Sequence, residues 1–214
     1  MSVIRQPGIM GRTTRHRVVG VTVALTAALI ETIAVGLWFG LVVGSRSTST
    51  ALAGLGILFC GSLLRTGVVG VAIDEPADLL RPHRLGAALA LTAGWIVWLY
   101  VAEWIGGVPG VAIATLILVG VLTTQFVFER RVFELRSPVR PSVASVLSAT
   151  LLAVGGAVLL VSVWFVDAAI VSPPISLEIT TVVLRIEPVQ LGAVVFGLLA
   201  FVAHQRRFRR LIET

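Results

Sequence analysis

The stretch GILFCGSLLRTGVVGVAI, residues 56–73, decides the fold class because it is long and apolar enough to cross a lipid bilayer as a helix. Arg65 interrupts this stretch. A guanidinium is rare within a bilayer unless it faces the interior of a helix bundle and meets an anion there. The stretch therefore predicts a membrane protein with an ion pair inside its helical bundle.

The composition of the whole chain also indicates a membrane protein. Of the 214 residues, 57% are hydrophobic and 13% are charged, whereas soluble domains have about 25% charged residues. The net charge of +6 comes from arginines that cluster between apolar runs, so we expect no nucleic-acid binding. The chain has no lysine, which excludes chemistry through a lysine Schiff base, and Cys60 is its only cysteine.

Six segments are long and apolar enough to be membrane-spanning helices. They predict an all-α, polytopic transmembrane bundle in a single domain, residues 18–204. Basic tails, residues 1–17 and 205–214, flank this domain. The spans are expected at about residues 18–44, 50–73, 85–107, 110–128, 143–166 and 188–204.

The distribution of arginine predicts the orientation of the bundle. Fourteen of the 17 arginines lie in the two tails and in the loops after the second and fourth spans. These segments fall on one side of a six-span chain, and only Arg46 and Arg185 fall on the other. Because cytoplasmic segments are enriched in arginine, we expect both termini to be cytoplasmic and the protein to lie in the cell membrane. The arginine-rich segments would then contact anionic lipid headgroups.

Three tryptophans are expected near the opposite, outer surface of the membrane. Trp38, Trp104 and Trp164 lie towards the outer ends of the first, third and fifth spans. Indole rings are enriched at the depth of the lipid headgroups, so these residues are predicted to be interfacial anchors.

Two of the predicted outer connections differ in length and in predicted structure. GGVPG, residues 106–110, predicts a tight turn that makes the third and fourth spans an antiparallel hairpin. The connection at residues 167–187 is long, and Ile175, Leu177 and Ile179 alternate with polar residues in it. This alternation predicts a short extracellular β-strand or an interfacial segment at residues 172–187, and the alternative is a longer sixth helix kinked at its proline.

Glu31 is the predicted partner of Arg65. Glu31 lies near the middle of the first span, and the two residues differ in depth by about four residues, or roughly 6 Å. Mostly small residues share a helix face with each charge, which allows close helix contact. They are Ala24, Ala28 and Val35 near Glu31, and Gly54, Leu58, Gly61 and Ala72 near Arg65. Glu31 and Arg65 are therefore the predicted intramembrane polar centre.

Four further polar residues are secondary candidates for a functional site. Glu103 lies in the outer part of the third span, where a carboxylate can reach water. The fourth span has three adjacent polar residues, Thr123, Thr124 and Gln125. The favoured interpretation is that they make hydrogen bonds between helices, and the secondary one is that they line a pathway.

Motifs for metal binding or catalysis do not occur in the sequence. His16, His83 and His204 are placed at the inner ends of predicted spans and lack HxxxH or HExxH spacing. The sequence also has no P-loop. We therefore assign no catalytic residue and expect no metal or other cofactor.

Three functions are compatible with these features. The favoured one is a small non-enzymatic transporter- or channel-like bundle, or a subunit of one, in which Glu31 binds a proton or a cation. The alternative is an accessory or scaffold subunit, in which the Glu31–Arg65 pair only fixes helix register or contacts another copy or a partner subunit. A membrane-embedded enzyme is the third possibility.

Overall fold

The computed structural model describes residues 9–45, 47–72, 81–132, 143–167, 169–177 and 180–212. Residues 1–8, 46, 73–80, 133–142, 168, 178–179 and 213–214, which the sequence predictions include, lie outside these ranges, and the side chains of His16, Ala72 and Leu177 are not described. The elements are α1 (Ile9–Gly44), α2 (Thr48–Ala72), α3 (Pro82–Ile105), α4 (Gly107–Val132), α5 (Val143–Trp164), β1 (Ile170–Val171), β2 (Ile175–Leu177), β3 (Thr180–Val182), β4 (Arg185–Ile186) and α6 (Pro188–Ile212).

The six helices are long and apolar enough to span a membrane, which confirms the predicted helical fold with six candidate spans. This architecture is compatible with a multi-pass membrane protein. Several helices extend beyond the apolar runs that identified them. The helix α4 ends at Val132 rather than near residue 128, and α6 continues to Ile212 rather than ending near residue 204. Arginine and glutamate are good helix formers, so the helices continue where the apolar residues stop.

The helices form a closed ring. Each helix packs against the next one in the sequence, and α6 packs against α1. Because the helices alternate in direction, the start of α1 and the end of α6 lie on one side of the ring, here named the terminal side. The turn between α3 and α4 and the four strands lie on the opposite side, here named the strand side.

The turn between α3 and α4 is a single residue, Gly106. Gly106 and Gly107 have φ angles of +73° and +58°. These angles lie in the left-handed region, which glycine adopts without the steric penalty of a Cβ atom. The two glycines therefore permit the tight reversal.

Aromatic side chains fill the strand-side half of the ring interior. The rings of Trp95 and Trp98 on α3 meet edge to face, with centroids 5.4 Å apart. Phe196 of α6 lies 5.7 Å from Trp95, and Phe39 of α1 lies 6.4 Å from Trp98. Gly156 of α5 makes room for them, because a Cβ atom there would lie 2.9 Å from the Trp95 ring. This half of the interior is consequently apolar and well packed.

Of the three predicted interfacial tryptophans, Trp38 is buried in the core. It is 3% exposed and packs against Gly54 of α2. Trp104 is 76% exposed and Trp164 is half-buried. Trp104 and Trp164 are the penultimate and last residues of α3 and α5, whereas Trp38 lies six residues before the end of α1 and on the face that packs against α2.

The four strands form two consecutive antiparallel pairs between α5 and α6, β1 with β4 and β2 with β3. Together the two pairs make one ribbon. Ile170 of β1 lies opposite Ile186 of β4, and Ile175 of β2 lies opposite Val182 of β3. The pairing shifts by one residue between these two parts, at Pro173 and Pro174, as it does at a β-bulge.

Candidate functional site

The terminal-side half of the ring interior contains ionisable side chains from four helices. Glu31 of α1, Arg65 of α2, Glu129 of α4 and His204 of α6 are each at most 3% exposed. The side chain of Arg207, also on α6, is 12% exposed. These five residues are named the ionic cluster below. Charged groups are rarely buried to this extent unless they are paired, so their contacts determine whether the cluster is stable.

Arg65 lies between two carboxylates. Its Nη2 donates a hydrogen bond to Oε1 of Glu129 at 2.8 Å. Its Nη1 lies 3.7 Å from Oε2 of Glu31, which is within ion-pair distance but too long for a hydrogen bond. The structure thus brings Glu31 and Arg65 together and gives Arg65 its shorter contact with Glu129.

Both carboxylate oxygens of Glu129 accept hydrogen bonds. Besides Arg65, Gln125 donates from Nε2 to Oε1 at 3.2 Å, and Arg207 donates from Nη2 to Oε2 at 2.7 Å. Nε2 of Gln125 also donates to the backbone oxygen of Ala87 on α3 at 3.0 Å. Glu129 therefore connects α2, α4 and α6 as a fully paired anion, and Gln125 ties α4 to α3.

Glu31 is less fully paired than Glu129. Its Oε2 lies 2.7 Å from Nε2 of His204. Among the described residues, Oε1 of Glu31 and Nδ1 of His204 have no hydrogen-bond partner, although both atoms are buried. An ionised carboxylate can only accept, so the proton of this hydrogen bond lies on Nε2 when Glu31 is charged, and neutral His204 then has an acceptor at Nδ1. The pair thus has two unused positions at which a proton can bind.

Helical periodicity explains how the ionic cluster forms on α4 and α6. Leu118, Leu122, Gln125 and Glu129 are spaced by three or four residues and are all buried on one face of α4. On α6, the buried series is Phe196, Ala200 and His204, followed by Arg207. Each helix thus presents apolar residues to the strand-side half of the ring interior and polar residues to the terminal-side half.

A close contact between α1 and α2 lies next to the ionic cluster. Gly61, one turn before Arg65, faces Ala34, which is three residues after Glu31. A Cβ atom on Gly61 would overlap the Ala34 methyl group. Only glycine permits this approach, which brings the helices that carry Glu31 and Arg65 together.

The other sequence candidates lie in different environments. Gln125 belongs to the contacts of the ionic cluster, whereas Thr123 is half-buried and Thr124 is exposed, with its hydroxyl donating to a backbone oxygen of its own helix at 2.9 Å. Glu103 is exposed near the strand-side end of α3. There it lines an open cavity of about 390 Å³ with Trp164 and the turn between α3 and α4. Glu103 is thus remote from Arg65.

Three members of the ionic cluster were not identified from the sequence. The predicted fourth span ends at about residue 128, one residue before Glu129. The sequence predictions put His204 at the inner end of the sixth span and Arg207 in the basic tail. The tail assignment is corrected here, because α6 continues through residue 207 and directs that guanidinium to Glu129. Helical periodicity would have identified these three residues in the sequence, because they continue the buried series of α4 and α6 by one turn.

Arg84 is a further buried arginine that the sequence placed in a loop. It lies in the first turn of α3 and is fully buried. Its guanidinium packs against Gly70 of α2, where a Cβ atom would lie 2.5 Å from Nη2. Charge at a helix end therefore does not by itself indicate exposure to water.

Comparison of the chain with family models, curated proteins and solved structures found no match. The fold and the cluster define an all-helical bundle, compatible with an integral membrane protein, that has a charged interior on its terminal side.

Proposed function

We propose that this protein is a small transporter-like membrane protein that binds and releases protons at Glu31 and His204. Its six long apolar helices support a multi-pass location in a membrane. One observation carries the proposal. A carboxylate and an imidazole, both buried, share one 2.7 Å hydrogen bond, and the other carboxylate oxygen and the other ring nitrogen have no partner among the described residues.

The surroundings of Glu31 favour a proton over a metal cation. Sodium and calcium ions require several oxygen ligands, whereas the groups that face Glu31 from neighbouring helices are nitrogen atoms of Arg65 and His204. The Arg65 guanidinium, 3.7 Å from Oε2, would also repel a metal cation. A proton needs only one lone pair, and both Glu31 and His204 have one.

Charge balance couples proton binding to helix packing. With His204 neutral, the ionic cluster has two carboxylates and two guanidiniums, and its net charge is zero. One added proton leaves a net positive charge in the interior, which is costly in a medium of low polarity. Protonation of Glu31 also removes its attraction for Arg65, and within the described part of the chain Arg65 then has only Glu129 as a counter-ion. The contact between α1 and α2 is weakened in consequence, as a proton-driven change of conformation requires.

The proposed orientation places both termini in the cytoplasm and the ribbon outside the cell. It is supported by the sequence positions of 14 arginines, in the predicted tails and in the predicted loops after the second and fourth spans, and this distribution also favours contact with anionic headgroups of the cell membrane. In this orientation the ionic cluster lies in the cytoplasmic half of the membrane, and the aromatic packing of Trp95 and Trp98 lies between the cluster and the outside.

The proposal is tested by proton flux into liposomes that contain the purified protein and a pH-sensitive dye. A proton gradient should collapse faster with the wild-type protein than in protein-free liposomes. Glu31→Gln keeps the shape of the side chain and removes its titration, so flux should return to the protein-free rate. The matched control is Glu103→Gln, a carboxylate near the opposite end of the bundle, which should retain the wild-type rate. Equal rates for Glu31→Gln and the wild type would refute the proposal.

A second candidate function is that of an accessory or scaffold subunit. It is favoured by Glu129, whose oxygens are both paired and which joins three helices without a free acceptor. In that case the cluster only holds the bundle together, and Glu31→Gln, which leaves Arg65 and Arg207 paired with Glu129, should assemble normally with its partners. The two functions differ in the flux assay, because a scaffold gives no flux that depends on Glu31.

A further inference from the structure

The ribbon between α5 and α6 has one strongly apolar face. Residues that lie opposite each other in an antiparallel pair share a face, as do alternate residues along one strand. Along the second half of the ribbon, every other residue from 182 to 186 is aliphatic: Val182, Leu184 and Ile186. Ile186 lies opposite Ile170, and Val182 lies opposite Ile175. These five aliphatic side chains therefore share one face, which is named the aliphatic face.

The opposite face is more polar. Ser176 lies opposite Thr181, and Val171 lies opposite Arg185. Val183 alternates with Thr181 and Arg185, so this face has two exposed valines beside its polar residues. Arg185 forms an exposed ion pair with Glu187, with Nε and Oε1 2.7 Å apart. The ribbon is thus amphipathic.

No packing within the described part of the chain covers the aliphatic face. Its five side chains are between 37% exposed, at Val182, and 57% exposed, at Leu184. Contact of aliphatic surface with water costs about 25 cal/mol per Å². Five such residues on one face require an apolar environment, whereas isolated exposed aliphatic residues do not.

The position of the ribbon indicates which environment this is. Helix α5 ends at Trp164, six residues before β1 starts, and α6 begins two residues after β4 ends. The ribbon is consequently attached at both ends to the strand-side ends of candidate spans. Phe165 and Val166, between α5 and the ribbon, are 49% and 43% exposed, so the apolar outer surface of the helices continues towards the aliphatic face.

We infer that the ribbon lies on the membrane surface, with its aliphatic face against the boundary between headgroups and acyl chains. Amphipathic elements next to a membrane bind in this way, and the polar residues Ser176, Thr181 and Arg185 then face water. A protein partner fits less well, because a stable interface involves about 20–30 residues on each side, and the aliphatic face has five. The inference does not depend on proton binding by Glu31.

The test places nitroxide spin labels at adjacent residues that face in opposite directions. In a Cys60→Ala background, single cysteines replace Val182 or Thr181 in one pair, and Ile175 or Ser176 in the other. The proteins are studied in nanodiscs of phosphatidylcholine, and collision rates with oxygen and with a water-soluble nickel chelate are measured. Labels at 182 and 175 should collide more with oxygen, and labels at 181 and 176 more with nickel.

Two results would overturn the inference. In one, the nickel chelate reaches both members of each pair equally, so the ribbon stands in water. In the other, the labels at 175 and 182 are immobile and show dipolar coupling to a second label, so another copy of the chain covers the face. Normal elution of each variant in size-exclusion chromatography shows that it is folded, and the adjacent residue serves as the internal control.

Discussion

Arg65 donates a 2.8 Å hydrogen bond to Glu129, although 64 positions separate the two residues and α3 lies between their helices in the ring. Glu129 in turn neutralises Arg207 of α6. A buried and a partly buried guanidinium thus share one carboxylate, so we expect the stability of the bundle to depend strongly on Glu129.

We expect Glu129→Leu to destabilise the protein strongly, by about 3–5 kcal/mol, because it leaves Arg65 and Arg207 without their shared anion. The free energy of unfolding in detergent micelles measures this effect. Combining it with Arg65→Leu removes one charge of each sign and should recover part of the loss, since Arg207 still lacks its anion. If Glu129→Leu alone unfolds like the wild type, the role assigned to this carboxylate is wrong.

Protonation of Glu31 should be visible in infrared difference spectra. Lowering the pH of the protein in nanodiscs should produce a new C=O stretching band of a buried carboxylic acid. Glu31→Gln should remove this band, whereas Glu103→Gln, whose carboxylate is exposed, should retain it. A band that persists in Glu31→Gln would assign the proton to another group.

Replacing Gly61 by alanine should destabilise the contact between α1 and α2, since the added methyl group overlaps Ala34. On the same helix, a Cβ atom on Gly56 meets nothing within 4 Å, so Gly56→Ala should be neutral or stabilising by up to about 1 kcal/mol. Thermal unfolding of both variants compares the two sites. Adding Ala34→Gly should rescue Gly61→Ala, and failure of this rescue would argue against direct contact.

Cys60 should not react with a water-soluble maleimide while the protein is in a bilayer. It is exposed in the structure but lies within a candidate span, so lipid should cover it and exclude a water-soluble reagent. Denaturation in detergent should restore labelling. As a control, a cysteine in place of exposed Ser47, in a Cys60→Ala background, should react at once. Rapid labelling of Cys60 in the bilayer would contradict the membrane location of α2.

The sequence was sufficient for the six helices because length and hydrophobicity are local properties of a segment. It was not sufficient for the ionic cluster. Glu129 and Arg207 follow apolar runs by only a few residues, and a rule that ends a span where the charges begin assigns them to water. Their burial depends on neighbouring helices, since each charge is tolerated only because a counter-charge arrives from elsewhere in the chain.

Trp38 illustrates the same limit for aromatic residues. It lies six residues before the end of α1, and its helix face points to Gly54 of α2. The partner helix, together with the position within the span, decides whether such a residue contacts lipid or core. A single sequence gives the depth of a residue more readily than the identity of its neighbours.

The closure of the ring between α6 and α1 has a consequence for biogenesis. Neighbouring helices can associate in pairs as they leave the ribosome. The hydrogen bond of Glu31, however, cannot form until His204, 173 residues later, has been synthesised. In a membrane, the first two candidate spans would until then carry a pair of charges without the contacts that α6 provides. Truncation before α6 should therefore leave a nascent chain that quality-control proteases recognise, whereas synthesis of the last helix completes both the circle and the charge balance.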